Sequence, residues 1–154
     1  MRITIRPYQD ADWEDICGVH DRARPDELLC GTVDPAAFLP LADTAGPEGL
    51  FDGEVWVACE AGGGVVGFLA AADDEITWLY VHPDHYGCGI GRQLLRHAVE
   101  RCGAVVRTEA LAGNAPAIGL YESEGFEVVE TRSGKLTGNE RFAATGVELR
   151  LRKR

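Results

Sequence analysis

Three glycines, Gly87, Gly89 and Gly91, crowd into the segment LYVHPDHYGCGIGRQLL, Leu79 to Leu95. Upstream, EITWLYV is rich in β-branched and aromatic residues and reads as a strand closed by Pro83. Downstream, Leu94, Leu95, Ala98, Val99 and Cys102 recur on one face of a helix. Glycines between a strand and a helix let a ligand approach the backbone. The first helical N–H groups there lack intrahelical acceptors and carry the positive end of the helix dipole. That is phosphate-binding chemistry.

Spacing excludes two common phosphate loops. A Walker A loop needs Gly-Lys followed by Ser or Thr, whereas Gly91 is followed by Arg92 and Gln93. A dinucleotide fingerprint starting at Gly87 and Gly89 requires a third glycine where Arg92 stands. The segment instead resembles motif A of the GNAT superfamily of N-acetyltransferases. Leu79-Tyr80-Val81-His82-Pro83 supplies the strand end, and Gly89-Ile90-Gly91 supplies the glycines. Asn114, Ala117, Tyr121, Gly125 and Phe126 are similar to the family's motif B, at the usual separation, and the order of elements from Ile3 onward also agrees.

The resemblance implies a mixed α/β fold of the acyl-CoA N-acyltransferase type. This is a mostly antiparallel central sheet of about seven strands flanked by about four helices, in one domain over residues 1–154. It implies acetyl-CoA as acetyl donor and no metal. The residues expected to hold coenzyme A are Leu79, Tyr80, Val81, Tyr86, Gly87, Cys88, Gly89, Ile90, Gly91, Arg92, Asn114 and Tyr121. A strand bulge would free a backbone amide near Leu79 for the carbonyl oxygen, and Val81 would contact the pantetheine arm. Two positions depart from the pattern: Tyr86 stands where the family prefers Gln or Arg, and Cys88 where Lys or Arg is common. Both changes remove side-chain donors, so the backbone amides and Arg92 are expected to carry more of the phosphate binding.

Acetyl transfer to an amine requires a neutral nucleophile, a stabilised carbonyl oxygen and a departing thiolate. By resemblance Tyr121 is the acid at the thiolate. Glu75, at the start of its strand, is the expected base, with Glu109 on the neighbouring strand next. His82 and His85 flank the loop and read as surface residues. Cys88 sits near a helix start, which favours a thiolate, but direct transfer from a thioester needs no acyl-enzyme.

The composition is consistent with this reading. No run of about 18 apolar residues occurs, and the N-terminal stretch turns acidic at once, so a cytoplasmic protein without a membrane span is expected. Five cysteines at irregular spacing, with no CxxC pair, argue against a disulfide framework or zinc site. A formal net charge of −10 disfavours nucleic acid and anionic lipid as partners and favours cationic amines. The acceptor is expected to be a small-molecule or peptide amine. A non-catalytic coenzyme A sensor and a protein N-terminal or lysine acetyltransferase are the alternatives on the same fold, and a homodimer is a further implication of the resemblance.

Around the motifs the chain reads as a strand at Ile3 and Ile5 ended by Pro7, then a helix capped by Asp10 and stopped by Pro25. A second helix is expected over Asp34 to Ala42. Strands follow at Glu54–Glu60, Val65–Ala72 and Glu75–Val81. After the central helix come a strand at Ala104–Leu111, a helix at Asn114–Ser123 and a strand at Phe126–Thr131. The polar stretch SGKLTGNERFAAT is expected to be a long mobile loop before a last strand, Gly146–Arg152.

Overall fold

The computed structural model describes residues 2–154. Seven strands form one sheet: β1 (Ile3–Pro7), β2 (Glu54–Glu60), β3 (Val65–Ala72), β4 (Glu75–Val81), β5 (Val105–Leu111), β6 (Glu127–Lys135) and β7 (Ala143–Arg152). Their order is β1-β2-β3-β4-β5-β7-β6, and among neighbours only β4 and β5 run parallel. The helices are α1 (Trp13–Cys30), the short α2 (Leu41–Thr44), α3 (Ile90–Arg101) and α4 (Ala115–Ser123). None of the described helices is long and apolar enough to cross a membrane.

Both faces of the sheet are covered. On one face Ile90, Leu94, Leu95 and Ala98 of α3 pack with Leu69, Val106, Tyr121, Phe126 and Leu149. On the other, Ile16 and Val19 of α1 pack with Val57, Phe68 and Ala70, and α2 adds Leu41. Central β3 is therefore buried on six successive residues, Val65 to Ala70, as its unbroken apolar run requires. Gly67 lets α3 lie close: a Cβ there would come within 3.1–3.3 Å of the Tyr80 carbonyl, Leu94 and Ile90.

Three elements differ from expectation. Pro25 does not stop α1, which continues to Cys30. A proline inside a helix forfeits a hydrogen bond and costs about 3 kcal/mol. Leu28, fully buried against Val33, Ala37, Leu111 and Leu136, offsets that cost, since burying such a side chain contributes about 1.5–3 kcal/mol. The expected helix over Asp34–Ala42 is divided by Pro40 into a 3-10 turn, Pro35–Ala37, and α2. Asp34 does cap the turn, accepting from the Ala36 N–H. The expected long loop is mostly sheet: β6 runs to Lys135 and β7 begins at Ala143. The connection is docked, with Leu136 buried and the Asn139 side-chain amide donating to the Ala37 carbonyl at 3.0 Å.

The entry into α1 is a 3-10 turn, Asp10–Asp12, so Asp10 does not cap the helix. Asp12 instead takes two hydrogen bonds from the Arg6 guanidinium, at 2.8 and 2.9 Å, and one from the Gln9 N–H at 2.9 Å. This pair, a buried carboxylate and a partly exposed guanidinium, ties β1 to α1. The Arg6 guanidinium holds the Asp12 carboxyl below its usual range. A carboxyl lowered by folding stabilises above its unfolded pKa of about 3.9, and loses that contribution as pH falls towards its folded value. Asp12→Asn is expected to cost about 1–3 kcal/mol at pH 7. In urea unfolding curves the gap to the wild type should narrow as pH falls below about 3.9, where the unfolded carboxyl takes up its proton. An equal gap at both pH values would show that the ion pair is not its source.

Candidate active site

β4 and β5 pair at only two positions, Glu75↔Arg107 and Ile76↔Thr108, and then separate. A bulge begins where they part. On the β3 side, Ala70 faces Trp78 while Ala71 faces Ile76, leaving Thr77 as the extra residue. Its hydroxyl donates to the Ala70 carbonyl at 3.2 Å. A bulge freeing an amide near Leu79 was expected, and the extra residue lies two positions before it. It still determines what Leu79 presents. The His82 N–H donates to the Val66 carbonyl of β3 at 2.8 Å. By the two-residue alternation of a strand, the Tyr80 and Trp78 amides face β3 as well. Those of Leu79 and Val81 face the side from which β5 has withdrawn.

A slot of about 80 Å³ fills the divergence, lined by Ile76, Thr77, Trp78, Leu79 and Tyr80 from β4, Thr108, Glu109 and Ala110 from β5, and Asn114, Ala117 and Tyr121 of the α4 region. Glu27 of α1 closes it. On the α1 side the slot opens into a cleft of about 930 Å³, walled by α1, the Pro35–Thr44 region, β4, β5 and the β6–β7 hairpin. Seven glutamates line this cleft against three cations, Arg24, Arg132 and Lys135.

The glycine loop sits at the other end of β4. Gly87 and Gly89 have φ of +75° and +79°, a left-handed conformation that costs other L-residues about 1–2 kcal/mol. A Cβ on either would meet no protein atom within 4 Å, so both face open space. Gly89 caps α3, leaving the Ile90, Gly91 and Arg92 N–H groups without intrahelical acceptors. Gly91 lies within contact of Val81 and Leu120, which brings this helix start beside the end of β4 and α4. Donors, positive dipole and an open cradle suit a diphosphate.

Tyr121 is 5% exposed, with its ring against Phe126 and its residue lining the slot. Burial pushes the phenol up to about 12, partly offset by the Thr108 hydroxyl. It therefore stays protonated at neutral pH and can donate a hydrogen bond. Asn114 lines the slot as the cap of α4, its carbonyl oxygen accepting from the Ala117 N–H at 3.4 Å. Ile90 is 1% exposed and anchors the loop in the core. Tyr86 and Cys88 are exposed on the loop, and the Tyr86 hydroxyl donates to Asp26 of α1 at 3.1 Å.

Three expected roles change. Arg92 is not free at the loop: its guanidinium donates to Ser123 at 2.9 Å and Glu124 at 2.6 Å, and Arg96 joins the same carboxylate. One helical turn separates the two arginines, so both face the end of α4 and fasten α3 to it. Tyr80 turns its ring away from the α3–α4 face. It stacks near Phe68 and His20, and its hydroxyl donates to Glu27 at 2.6 Å, which makes it a wall of the cleft. Glu75 lines the cleft but not the slot, with the Arg107 guanidinium 4.0 Å away. Burial raises its carboxyl, Arg107 lowers it, and Glu109 and Glu148 raise it further. Glu27 and Glu109, by contrast, line both cavities.

Glu27 and Arg24 form an ion pair under Tyr80 and were missed because the first helix was ended at Pro25. Their i,i+3 spacing across that proline was the available signal.

A profile of the family described as "Acetyltransferase (GNAT) domain" matches residues 51–128, half of the chain. The chain belongs to the GNAT acetyltransferases. It is 34% identical over 74 residues to peptidyl-lysine N-acetyltransferase YjaB of Escherichia coli strain K12, covering 48% of this chain and 50% of that protein. It thus spans half the length of that relative. It is 30% identical over 124 residues to N-alpha-acetyltransferase RimI of Mycobacterium tuberculosis, covering 71% and 77% respectively. The fold superposes on yncA of Salmonella typhimurium, solved with its cofactor acetyl-CoA, with a TM-score of 0.64 and 26% identity over 99% of this chain and 94% of that one.

Gly89→Ala in this GNAT protein is expected to leave the fold intact and weaken coenzyme A binding at least about tenfold, because the methyl enters the cradle at a left-handed residue. Calorimetric titration with coenzyme A measures this. An affinity equal to the wild type would remove the loop from the binding site.

Proposed function

We propose that this chain transfers an acetyl group from acetyl-CoA to a cationic amine by direct attack on the thioester within the β4–β5 slot. The observation that carries this reading is the slot between β4 and β5, which shares Glu27, Thr77, Tyr80 and Glu109 with the glutamate-lined cleft while the same strand, β4, runs on into the open glycine loop. When bound, acetyl-CoA supplies an activated acetyl group and a thiolate leaving group. The amides of Gly87 to Arg92 would hold its diphosphate by hydrogen bonds and helix dipole. The Leu79 amide, aimed into the slot, is the candidate donor to the carbonyl oxygen as it gains charge. One preorganised backbone donor of this kind contributes about 3 kcal/mol.

The acceptor would arrive as an ammonium ion, drawn by the excess of carboxylates. It must lose a proton before it can attack, since its pKa is near 10. Glu109 lines both cavities and is exposed, so it can pass that proton to water, whereas Glu75 is set one step further out. Glu27 is occupied by Arg24 and Tyr80 and serves better to bind the ammonium than to deprotonate it. Tyr121 would donate a hydrogen bond to the departing sulfur. Complete transfer from a phenol near 12 to a thiolate near 8.5 costs about 5 kcal/mol, so the hydrogen bond does more than the proton itself. Two relatives are named for a peptidyl-lysine and an α-amine acceptor, and both are cationic amines.

A screen of diamines, aminoglycoside-like amines and basic peptides, following thiol release from acetyl-CoA, tests the reading. Turnover is expected with cations, and a preference for acidic or neutral amines would contradict it. Tyr121→Phe should lower turnover at least about tenfold while acetyl-CoA affinity stays within about threefold; a wild-type rate removes its role. Glu109→Gln should depress kcat more than Glu75→Gln, most at low pH where free amine is scarce. The reverse order would return the base to Glu75.

A further inference from the structure

His20 is a buried titratable group that the chemistry above leaves unused. It lies on α1 one turn before Arg24 and two before Glu27, and all three line the cleft. The residue is 4% exposed, its ring edge-on to Tyr80 with 4.9 Å between centroids. Its Nδ1 is 2.9 Å from Oδ1 of Asp21, and the same oxygen accepts from the Leu41 N–H at 2.9 Å. A carboxylate oxygen can only accept. Nδ1 of the neutral ring therefore carries the hydrogen and Nε2 the lone pair.

Nε2 has no hydrogen-bond partner among the described residues, yet it is not sealed from solvent as Nδ1 of His85 and Nε2 of His97 are. The cavity that the residue borders is the cleft. We propose that His20 determines acceptor specificity, on the reading of the cleft as the acceptor site, by offering the Nε2 lone pair to an N–H or O–H donor of the incoming amine. His20 borders the cleft but not the slot, so the donor it takes is remote from the nitrogen that reacts. The class it selects is an amine with a second N–H or O–H group, such as a diamine or an amino alcohol, over a plain alkyl monoamine.

The surrounding charges keep the ring in its accepting form. Burial, the largest influence, holds His20 below its ordinary value of 6.5, Arg24 acts in the same direction, and Asp21 and Glu27 oppose them. From β4, Tyr80 faces the ring as a protonated phenol whose hydrogen is given to Glu27. From beyond α2, Glu48 lines the same cleft within the field of Arg24. At neutral pH the imidazole is uncharged. As pH falls Nε2 takes a proton, loses its lone pair and becomes part of a cation that repels an ammonium ion. The Nδ1–H to Asp21 bond is kept in both states, so the ring is not turned, and the change falls on acceptor binding rather than on the reacting centre.

NMR of the imidazole nitrogens in the full chain tests the geometry without turnover, with His20→Phe identifying the signal among the four histidines. The Nδ1–H tautomer is expected at about pH 8, and diaminobutane should shift the Nε2 signal more than butylamine does. An Nε2–H tautomer, or no shift with saturating diaminobutane, overturns the proposal. In the thiol-release assay His20→Phe, which keeps a ring against Tyr80, should raise KM for diaminobutane at least about tenfold, with kcat and the KM for butylamine within about threefold. His20→Gln, whose side-chain carbonyl can accept in place of Nε2, should return KM to within about threefold of the wild type. It should also abolish the rise in KM that the wild type shows as pH falls below 6.5. An equal loss with both amines, or no rescue by glutamine in a variant folded by circular dichroism, makes His20 a packing residue and overturns the proposal. A chain that turns over no amine but shows the tautomer and the shift refutes acetyl transfer alone and upholds the binding role.

Discussion

Parallel strands that hydrogen-bond over two residues and then part leave polar backbone facing a gap inside the protein. Such groups are costly unless a partner fills them, because an unpaired buried donor forfeits its solvation. In this chain the rest of the site is arranged around that divergence. The bulge at Thr77 turns β4 at the point where β5 leaves it, and the Thr108 hydroxyl holds the fork together by donating to the Ile76 carbonyl at 3.0 Å. β7 on one side and β3 on the other keep the two strands fully paired outside the gap, so the opening cannot close by collapse.

The two helices at the gap are held by different means. α3 is set by apolar packing, with Ile90, Leu94 and Leu95 fully buried and Gly67 beneath them, which fixes where its N-terminal donors emerge. α4 is tied to α3 by Glu124, shared between Arg92 and Arg96, and its carboxyl is held below the usual range mainly by Arg96. Tyr121 projects from α4 into the slot, so this surface link bears on the position of the phenol. The loss of basic residues at Tyr86 and Cys88 is not made good by a nearby free arginine. The cradle rests on backbone donors, which depend on glycine conformation rather than on side-chain charge.

The cleft side is electrostatic. Carboxylates from α1, β5 and the β6–β7 hairpin converge on a common volume, while Arg24 and Arg107 are each close to a carboxylate within it. An excess of negative charge of this kind concentrates cations and repels anions. It does not by itself discriminate finely among amines.

Local pattern carried much of this. The bounds of β2, β3 and β4 could be read residue for residue from alternation and turn chemistry. The glycine loop and the helix ending at Ser123 were legible because backbone conformation and helix ends are governed by neighbouring residues. What remained for the tertiary structure were features set by distant partners. Leu28 holds α1 together through Pro25, and the docked Leu136 lets β6 and β7 extend into a polar stretch. Arg92 is drawn to Glu124, and Glu27 is brought under Tyr80. Each depends on a contact between residues far apart in the chain, and such contacts leave no period or spacing in the sequence to be read.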